Sequence, residues 1–584
     1  MGKHFFRSSS PPPAKHTSHH SLAERAMEEC ENDVDTLITK WTSSESDQFL
    51  FSLTSHQEAE ELVRAVKNLH HSMQRLVSVT PEAEKIYQAK RTIQAAMKLL
   101  ESEFRRVLKA NMEYPDPECV TIRSYKSSRF SIEHDGASYL ADDPDDLKLI
   151  ADCMISTGYV KECIKVYQSV RKSIVDETLH SLGAERLTLH QIQKLDWEIL
   201  ETKIKSWLRA VKLAARSLFF GERILADHVF SASGSIAESV FNEITRDGAL
   251  ALFVFPENVG KLKKLTPEKM FRTLDMYEAL ATLSPEIESI FNSDSNAAVK
   301  SQVTNSLSKL SEAVRSMMDD FESAIQKESS KKPVAGGGVH PLTRYVMNYL
   351  SFLADYSESI EVIFENWRLA LTRPLPKTLF PCGGGEEASP EDVHSSPVSI
   401  RLGWVILQML CKIDGKAQPY KDVALSYLFL ANNLQYVVNK VRSSKLNLLL
   451  GGDCVASQEA KVNRYIAKFE KLAWGKMLTS LSEDPTAESS PEKAREHIVN
   501  FNTEFELAYR KQILWIVPDA KLRDKIKISL SQKLIPVYAE LYNRVELVRD
   551  VEMSNESIIK YTLDDLGNYH SDLYFGSKDL GRVS

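Results

Sequence analysis

The chain has 584 residues, of which 43% are hydrophobic and 26% are charged, and its formal net charge is −7. This balance is typical of a globular protein with a large core, and the length suggests several structural units. The net negative charge argues against a globally basic nucleic-acid binder. With 22 glycines and 22 prolines, the chain is also poor in turn-forming residues.

The cysteines and the apolar runs bear on the cellular compartment. The seven cysteines are scattered and none forms a C-x-x-C pair, so we expect reduced thiols, no metal site and no cofactor. The longest uninterrupted apolar run, residues 249–255, has seven residues, whereas a membrane span needs about 20. The N-terminus lacks the apolar stretch of a signal peptide. We therefore expect an intracellular protein without a transmembrane segment.

The N-terminal part of the chain predicts a tail followed by long helices. Residues 1–20 are basic and rich in Pro and Ser, which predicts a disordered tail. Apolar residues then recur at helical intervals over three stretches within residues 21–112, joined by short polar linkers. Such a pattern favours N-terminal coiled-coil helices. Residues 113–143 are polar, contain Pro and Gly, and predict a loop.

Helical periodicity dominates the rest of the chain, and strand alternation is almost absent. The sequence therefore predicts an all-α fold. The glycine triplet at residues 336–338 predicts a flexible connector over 331–340. The remaining predicted segments are helical bundles at 144–330, helical bundles at 341–500 with a loop at 374–398, a C-terminal helical bundle at 501–576 and a tail at 577–584.

One acidic cluster raises the possibility of an enzyme. Residues 142–146 match the D-D-x-x-D motif of all-helical terpene synthases, whose carboxylates share magnesium ions. Pro144 interrupts the cluster, which favours a helix N-terminus instead. The second metal motif of such enzymes is missing downstream, so a terpene-synthase-like enzyme is a remote alternative.

Other catalytic signatures are absent from the sequence. It contains no P-loop, no G-x-S-x-G and no H-E-x-x-H. The glycine triplets at 336–338 and 383–385 lack a following Lys-Ser/Thr pair and are interpreted as linkers. We therefore expect no enzymatic activity.

A basic window near the C-terminus departs from the acidic balance of the chain. Residues 507–535 contain seven basic and two acidic residues, a net charge of +5. Pro518 is predicted to open a helix whose buried stripe is Leu522, Ile526, Leu530 and Leu534. The seven basic residues are Arg510, Lys511, Lys521, Arg523, Lys525, Lys527 and Lys533.

Two interpretations of this window remain open. It is either a solvated charged face or a docking surface for anionic lipid, where each Lys or Arg contributes about 1 kcal/mol. Nucleic acid is disfavoured because aromatic residues are not interleaved with the cations.

Several motifs, in a fixed order over about residues 22–576, carry a resemblance to a known family. The sequence resembles the seventy-kilodalton subunit of the exocyst, the octameric complex that tethers secretory vesicles to the plasma membrane, and in particular the plant branch of that family. The motifs are MKLLESEF at 97–104, GYVKECIKVY at 158–167, the run from WLRA to GER at 207–223, HPLTRYVMNY at 340–349, FN at 501–502, VPD at 517–519 and YTLDDL at 561–566.

The resemblance implies an elongated rod of consecutively stacked helical bundles. Its N-terminal coiled-coil segment, residues 21–112, would assemble with other exocyst subunits. Its C-terminal basic end would bind phosphatidylinositol 4,5-bisphosphate through the seven cations named above. The implied protein is a non-enzymatic subunit in the cytoplasm and on the inner face of the plasma membrane, with small GTPases as a further class of partner and no nucleic acid.

A second function is compatible with the same fold. The chain could be an all-α adaptor that acts outside the complex, in signalling or immunity, with the basic face merely solvated. Loss of co-purification with other tethering subunits would distinguish the adaptor from the tether.

Overall fold

The computed structural model describes most of the chain between residues 22 and 576. The expected tails 1–20 and 577–584, the loop 113–143, the glycine triplet 383–385 and most of the loop 374–398 lie outside the described residues. The described ranges are 22–42, 56–79, 84–110, 144–263, 265–330, 332–365, 367, 396–481, 491–549 and 559–576.

The all-α prediction is confirmed. Within the described residues the only β-type pairing is an isolated antiparallel bridge between Ile516 and Phe575. The contacts divide the chain into two compact units, residues 1–262 with 275–310 and residues 263–274 with 311–584.

The first nine helices belong to the first unit, and the next two helices contribute residues to both units. Their bounds are α1 (Leu22–Thr42), α2 (His56–Val79), α3 (Glu84–Ala110), α4 (Pro144–Ser156), α5 (Val160–Ser181), α6 (Leu189–Lys194), α7 (Trp197–Leu213), α8 (Phe220–Val229), α9 (Gly234–Gly260), α10 (Met270–Ile290) and α11 (Ala297–Lys327).

The three N-terminal helices pack against one another and against the helices that follow. α3 contacts both α4 and α5, and the rings of Phe104 and Tyr167 lie 6.2 Å apart in the contact with α5. Arg171 forms a buried ion pair with Glu222 on α8 and donates to the backbone carbonyl of Leu108 on α3 at 3.4 Å. The amphipathic N-terminal helices are thus an integral part of the first unit.

The second unit contains the remaining helices. Their bounds are α12 (Pro341–Leu353), α13 (Ser357–Phe364), α14 (Pro397–Ala417), α15 (Val423–Arg442), α16 (Leu446–Leu450), α17 (Gly452–Leu481), α18 (Pro491–Gln512), α19 (Ala520–Arg549) and α20 (Leu563–Ser571).

α15 is central to the second unit. It contacts α12, α14 and α17, because apolar residues cover most of its surface and few of them reach solvent. α17 and α18 continue the bundle toward α19, and Trp474 and Tyr538 are among the largest fully buried side chains there.

The expectation of a flexible connector over residues 331–340, just before α12, was wrong. Gly336 and Gly337 have φ angles of +67° and +71°, and the backbone N–H of Ile516 donates to the carbonyl of Gly336 at 2.8 Å. The side-chain amide of Asn432, on α15, donates to the carbonyls of Gly337 and Ile516, both at 2.8 Å. The glycines therefore form a fixed tight turn, because only a residue without Cβ adopts these φ angles at low cost.

The two compact units group the helices more coarsely than the segments expected from the sequence. The proposed boundaries of those segments, and their separate roles, remain predictions.

Candidate basic docking surface

The basic surface is built on α19, and a side-chain cap fixes the start of this helix. Asp519 accepts a hydrogen bond from the backbone N–H of Leu522 at 2.7 Å and another from the side-chain amide of Asn439 at 2.8 Å. The helix begins at Ala520. The expectation that Pro518 opens it was wrong, because Asp519 acts as the N-cap.

The buried stripe of α19 is confirmed. Leu522, Ile526, Leu530 and Leu534 are each at most 3% exposed, and α19 contacts α17 and α18. Burial of this stripe stabilises the helix against its neighbours. It also fixes which side chains of the helix remain at the surface.

Lys521 and Lys525 are two accessible cations of α19. Both are exposed and stand one helical turn apart. The ammonium group of Lys521 makes no hydrogen bond or ion pair to the side chains or backbone of the residues that the structure describes. Lys525 donates to the side-chain oxygen of Asn463 at 2.6 Å, a neutral partner that leaves its charge uncompensated.

Arg510 and Lys511 lie at the end of α18 and are held only weakly. Arg510 is 3.4 Å from Glu506, and Lys511 is 3.9 Å from Asp422. Their side chains are 77% and 66% exposed. Solvent-exposed pairs of this kind are worth about 0–1 kcal/mol, so both cations can exchange these partners for an external anion at little cost.

Arg523 and Lys527 are covered by the C-terminal segment. The ring of Phe575 lies 4.3 Å from the Arg523 guanidinium and 4.5 Å from the Lys527 ammonium. Arg523 donates to the carbonyl of Val517 at 3.1 Å, and Lys527 donates to the carbonyl of Ser571 at 2.6 Å. Burial, reinforced by the neighbouring Arg523 charge, lowers the pKa of Lys527.

Lys533 compensates a nearly buried carboxylate. It pairs with Glu470 on α17, which also accepts from the Ser529 hydroxyl at 3.0 Å. Withdrawing Lys533 would remove the cationic partner of a carboxylate that is 8% exposed, and such a loss is costly. The seven cations thus fall into three groups. Four are exposed and held only weakly by neighbouring residues, and we call them the open cations: Arg510, Lys511, Lys521 and Lys525. Arg523 and Lys527 are covered by the C-terminal segment, and Lys533 compensates the charge of Glu470.

Sequence reasoning missed Phe575 as a neighbour of the basic helix. This residue is separated from Arg523 and Lys527 by about fifty positions, and no local pattern predicts the contact. The backbone bond from Val517 N–H to the Tyr574 carbonyl, 3.0 Å long, fixes the segment beside α19. Tyr574, which is fully buried just before the exposed Phe575, anchors this segment, but its burial is a property of the tertiary structure and gave no signal in the sequence.

The other clusters considered in the sequence have structural partners. α4 begins at Pro144, Asp145 lies 2.9 Å from His228, and Asp146 lies 2.7 Å from His56. These contacts agree with the interpretation of the acidic cluster as a helix N-terminus; Asp142 and Asp143 lie outside the described residues.

Potential metal ligands and thiols are dispersed in the part of the chain that the structure describes. Within the described ranges, no group of three or more His, Cys, Asp or Glu residues is placed to hold a metal ion. Cys153 and Cys163 are buried, and desolvation raises the pKa of each to about 12. They are packed thiols in the core of the first unit.

Among the helices described, none combines the length and the hydrophobicity that a membrane span requires.

Fold and surface together define an all-α helical-bundle protein that exposes cations on α18 and α19. The family model for the C-terminal part of the Exo70 exocyst complex subunit matches residues 205–572. A second model, for the N-terminal part of the exocyst complex component Exo70, matches residues 18–110. The chain therefore belongs to the Exo70 family of exocyst subunits.

Curated relatives place the chain in the plant branch of this family. It is 31% identical to exocyst complex component EXO70B1 of Arabidopsis thaliana over 74% of this chain and 66% of the relative. It is also 31% identical to EXO70A1 of the same plant over 73% of this chain and 66% of the relative. The matched segment thus spans just under two thirds of each relative.

Solved structures agree on the fold. The chain resembles two structures of Exo70 from Saccharomyces cerevisiae, each with a TM-score of 0.51 and 16% identity. The similarity covers 95% and 94% of this chain, respectively, and 100% of each yeast chain.

Proposed function

We propose that this chain is a non-enzymatic exocyst subunit that helps tether secretory vesicles to the plasma membrane. Membership of the Exo70 family supports the proposal, since the relatives are named as exocyst components. In this proposal the N-terminal helices, within residues 21–112, provide the contact with other exocyst subunits.

The membrane contact proposed here uses the open cations of the C-terminal region. The observation that carries it is the pair Lys521 and Lys525, which project one turn apart from a helix whose opposite face is buried. Arg510 and Lys511 add two exposed charges with weak partners. At about 1 kcal/mol for each cation near an anionic leaflet, such a set favours peripheral binding to phosphatidylinositol 4,5-bisphosphate without an inserted helix.

Liposome co-sedimentation tests the proposed membrane contact. Lys521→Ala/Lys525→Ala should weaken pelleting with vesicles containing phosphatidylinositol 4,5-bisphosphate by roughly 30-fold, the equivalent of about 2 kcal/mol. A matched control is Lys161→Ala/Lys165→Ala, which removes two exposed lysines at the same spacing from α5. Raised salt should weaken wild-type binding, because it shortens the Debye length.

The result that contradicts this contact is equal pelleting of wild type and both double variants. Recruitment to the membrane would then rest on partner subunits. Assembly is tested separately by co-purification with the other exocyst subunits. Its failure would favour the adaptor that acts outside the complex.

A further inference from the structure

A row of basic residues runs along the exposed side of α17, outside the basic window found in the sequence. Residues 460–481 contain five basic residues and one acidic residue, and Arg464, Lys468 and Lys471 are exposed. These three positions are related as i, i+4 and i+7, so they share one face of the helix over about 10 Å. We define them as the α17 row.

The positive charge of the α17 row is uncompensated. Within the part of the chain that the structure describes, the charged groups of its three members make no hydrogen bond or ion pair. Lys468 lies 5.2 Å from the centre of the Tyr427 ring, a contact that leaves its charge in place. Glu470, the acidic residue among these positions, is 8% exposed and is compensated by Lys533.

The α17 row lies beside the lysines of α19. Lys525 donates to Asn463, which immediately precedes the row, at 2.6 Å. Further along both helices Lys533 pairs with Glu470, so α17 and α19 run in the same direction. Packed helices have axes about 8–10 Å apart. Lys521 and Lys525 therefore form a second row next to the first, and we call the two rows together the two-helix face.

The other helices that pack against α17 bring little negative charge to this face. α15 and α16 contain no acidic residue. α18 packs along a later part of α17, with His497 2.9 Å from the carbonyl of Ser480 and Gln512 3.3 Å from that of Ala473. The acidic residues of α18 therefore lie beyond the α17 row.

Two carboxylates remain at the edges of the two-helix face. Asp414, on α14, lies near Lys461, a cation outside both rows that offsets its charge. Asp524 is exposed on α19, and its charge also acts on Lys527. Even if Asp524 is counted in full, five cations face one carboxylate, so the excess of positive charge persists.

An anionic leaflet is the partner that this arrangement fits best. The cations are spread over two rows and do not converge on a single point, which suits the diffuse charge of a membrane surface. Ile528 is 57% exposed and continues the row of Lys521 and Lys525 at i+7, where an aliphatic side chain can enter the headgroup region. A protein interface usually has apolar and aromatic residues at its centre and charges at its rim, which is the opposite arrangement.

We propose that Arg464, Lys468 and Lys471 bind anionic lipid together with Lys521 and Lys525, so that α17 and α19 contact the leaflet side by side. This inference rests on the proposed membrane contact and adds three binding residues to it. Because separate cations engage several lipids at once, binding depends steeply on the density of phosphatidylinositol 4,5-bisphosphate in the leaflet.

Liposome co-sedimentation of the full chain tests the α17 row. Arg464→Ala/Lys468→Ala/Lys471→Ala should weaken pelleting with phosphatidylcholine vesicles that contain phosphatidylinositol 4,5-bisphosphate by roughly 100-fold, or about fivefold for each cation. Arg464→Lys/Lys468→Arg/Lys471→Arg keeps the three charges and should pellet like wild type. Circular dichroism verifies that each variant remains folded.

The matched control is Lys161→Ala/Lys165→Ala/Arg209→Ala. It removes two lysines and one arginine, all exposed, from the first unit, and it should also pellet like wild type. Equal losses in the alanine variant of the α17 row and in this control would mean that binding follows net charge alone, which would overturn the proposal.

The remaining outcomes separate this inference from the proposed membrane contact. If wild type and the alanine variant of the α17 row pellet equally, the row is not a lipid contact, while the contact through Lys521 and Lys525 stands. If that variant instead loses co-purification with the other exocyst subunits, the row serves an acidic protein partner. Release of wild type by soluble inositol 1,4,5-trisphosphate, at the same headgroup concentration, would replace the two-helix face by a single-headgroup site. If wild type does not pellet, both proposals fail.

Discussion

Arg523 and Lys527 show how one aromatic residue changes the character of a cationic surface. Both lie against Phe575, and both also donate to backbone carbonyls. Cation–π contacts of partly buried groups contribute about 1 kcal/mol, which competes with the similar gain that each cation would have at an anionic leaflet. The C-terminal segment therefore reduces the share of these two residues in any membrane contact.

Replacement of Phe575 tests this competition. Phe575→Ala should strengthen binding to vesicles containing phosphatidylinositol 4,5-bisphosphate, by up to about 1 kcal/mol for each freed cation, as measured by co-sedimentation. Stability should change little, because the ring is 57% exposed. Phe352→Ala removes a ring that is 61% exposed and should leave vesicle binding unchanged. Weaker binding of Phe575→Ala would mean that the ring itself contacts lipid.

The glycine turn before α12 leads to a second prediction at this scale. A Cβ on Gly336 would lie 2.8 Å from the carbonyl oxygen of Leu514, and φ is +67°. Gly336→Ala should therefore lower the free energy of unfolding by about 1–3 kcal/mol, as measured by chemical denaturation. In Gly415→Ala, on α14, the new Cβ meets nothing within 4 Å, and this control should be neutral or up to about 1 kcal/mol more stable. Equal free energies of unfolding for wild type and Gly336→Ala would contradict the fixed turn.

At the level of elements, helix packing in the first unit depends on a buried ion pair. Arg171 on α5 reaches Glu222 on α8, with Nε 3.2 Å from the carboxylate, and also the end of α3. Both charged side chains are almost completely buried. Removing one partner of a buried pair is expensive, whereas replacing both by apolar residues is often neutral.

The corresponding prediction compares single and double replacements. Arg171→Ala should lower the free energy of unfolding by about 3–5 kcal/mol, because Glu222 loses its cationic partner. Arg171→Met/Glu222→Leu should lie much closer to wild type. Denaturant titrations of the three proteins measure the difference. If the double variant is as unstable as the single one, the contact to Leu108, rather than the charge pair, is the main contribution.

For the whole molecule, the distribution of charge matters more than its sum. The net charge of −7 favours solubility and repels anionic surfaces in general. The open cations at the end of α18 and at the start of α19 are exceptions to this acidic balance, and the attraction of each extends only about one Debye length, about 8 Å at physiological salt. Orientation at a membrane would follow from this asymmetry.

Acid sensitivity of the fold can be assigned to a buried histidine. Burial, with Lys416 nearby, lowers the pKa of His340 below its usual 6.5, and its Nδ1 accepts from the backbone N–H of Leu342 at 3.0 Å. The folded state therefore prefers neutral His340. Its stabilising contribution is present above about pH 6.5 and declines as pH falls through that value toward the lowered pKa.

The measurement is the free energy of unfolding at about pH 7.5 and about pH 5.5. Wild type should lose more stability on acidification than His340→Asn, since Asn remains neutral and is also a favourable N-cap. The difference between the two proteins isolates His340 from the carboxylates that titrate in the same range. Identical pH dependence would exclude His340 as the cause.

The sequence by itself determined the all-α class, the helical stretches and the buried stripe of α19. These follow from local periodicity, because a 3.6-residue repeat of apolar residues specifies both the helix and the face it buries. It also located the seven cations, though not their environments.

Only the tertiary structure decided which cations are open. Asn439 and Asp519, Phe575 and Lys527, and Glu470 and Lys533 are brought together from positions 80, 48 and 63 residues apart. The same is true of the glycine turn, which looked flexible until Asn432 and Ile516 were placed against it. Contacts between distant residues depend on how the helices pack, and no local pattern encodes that packing.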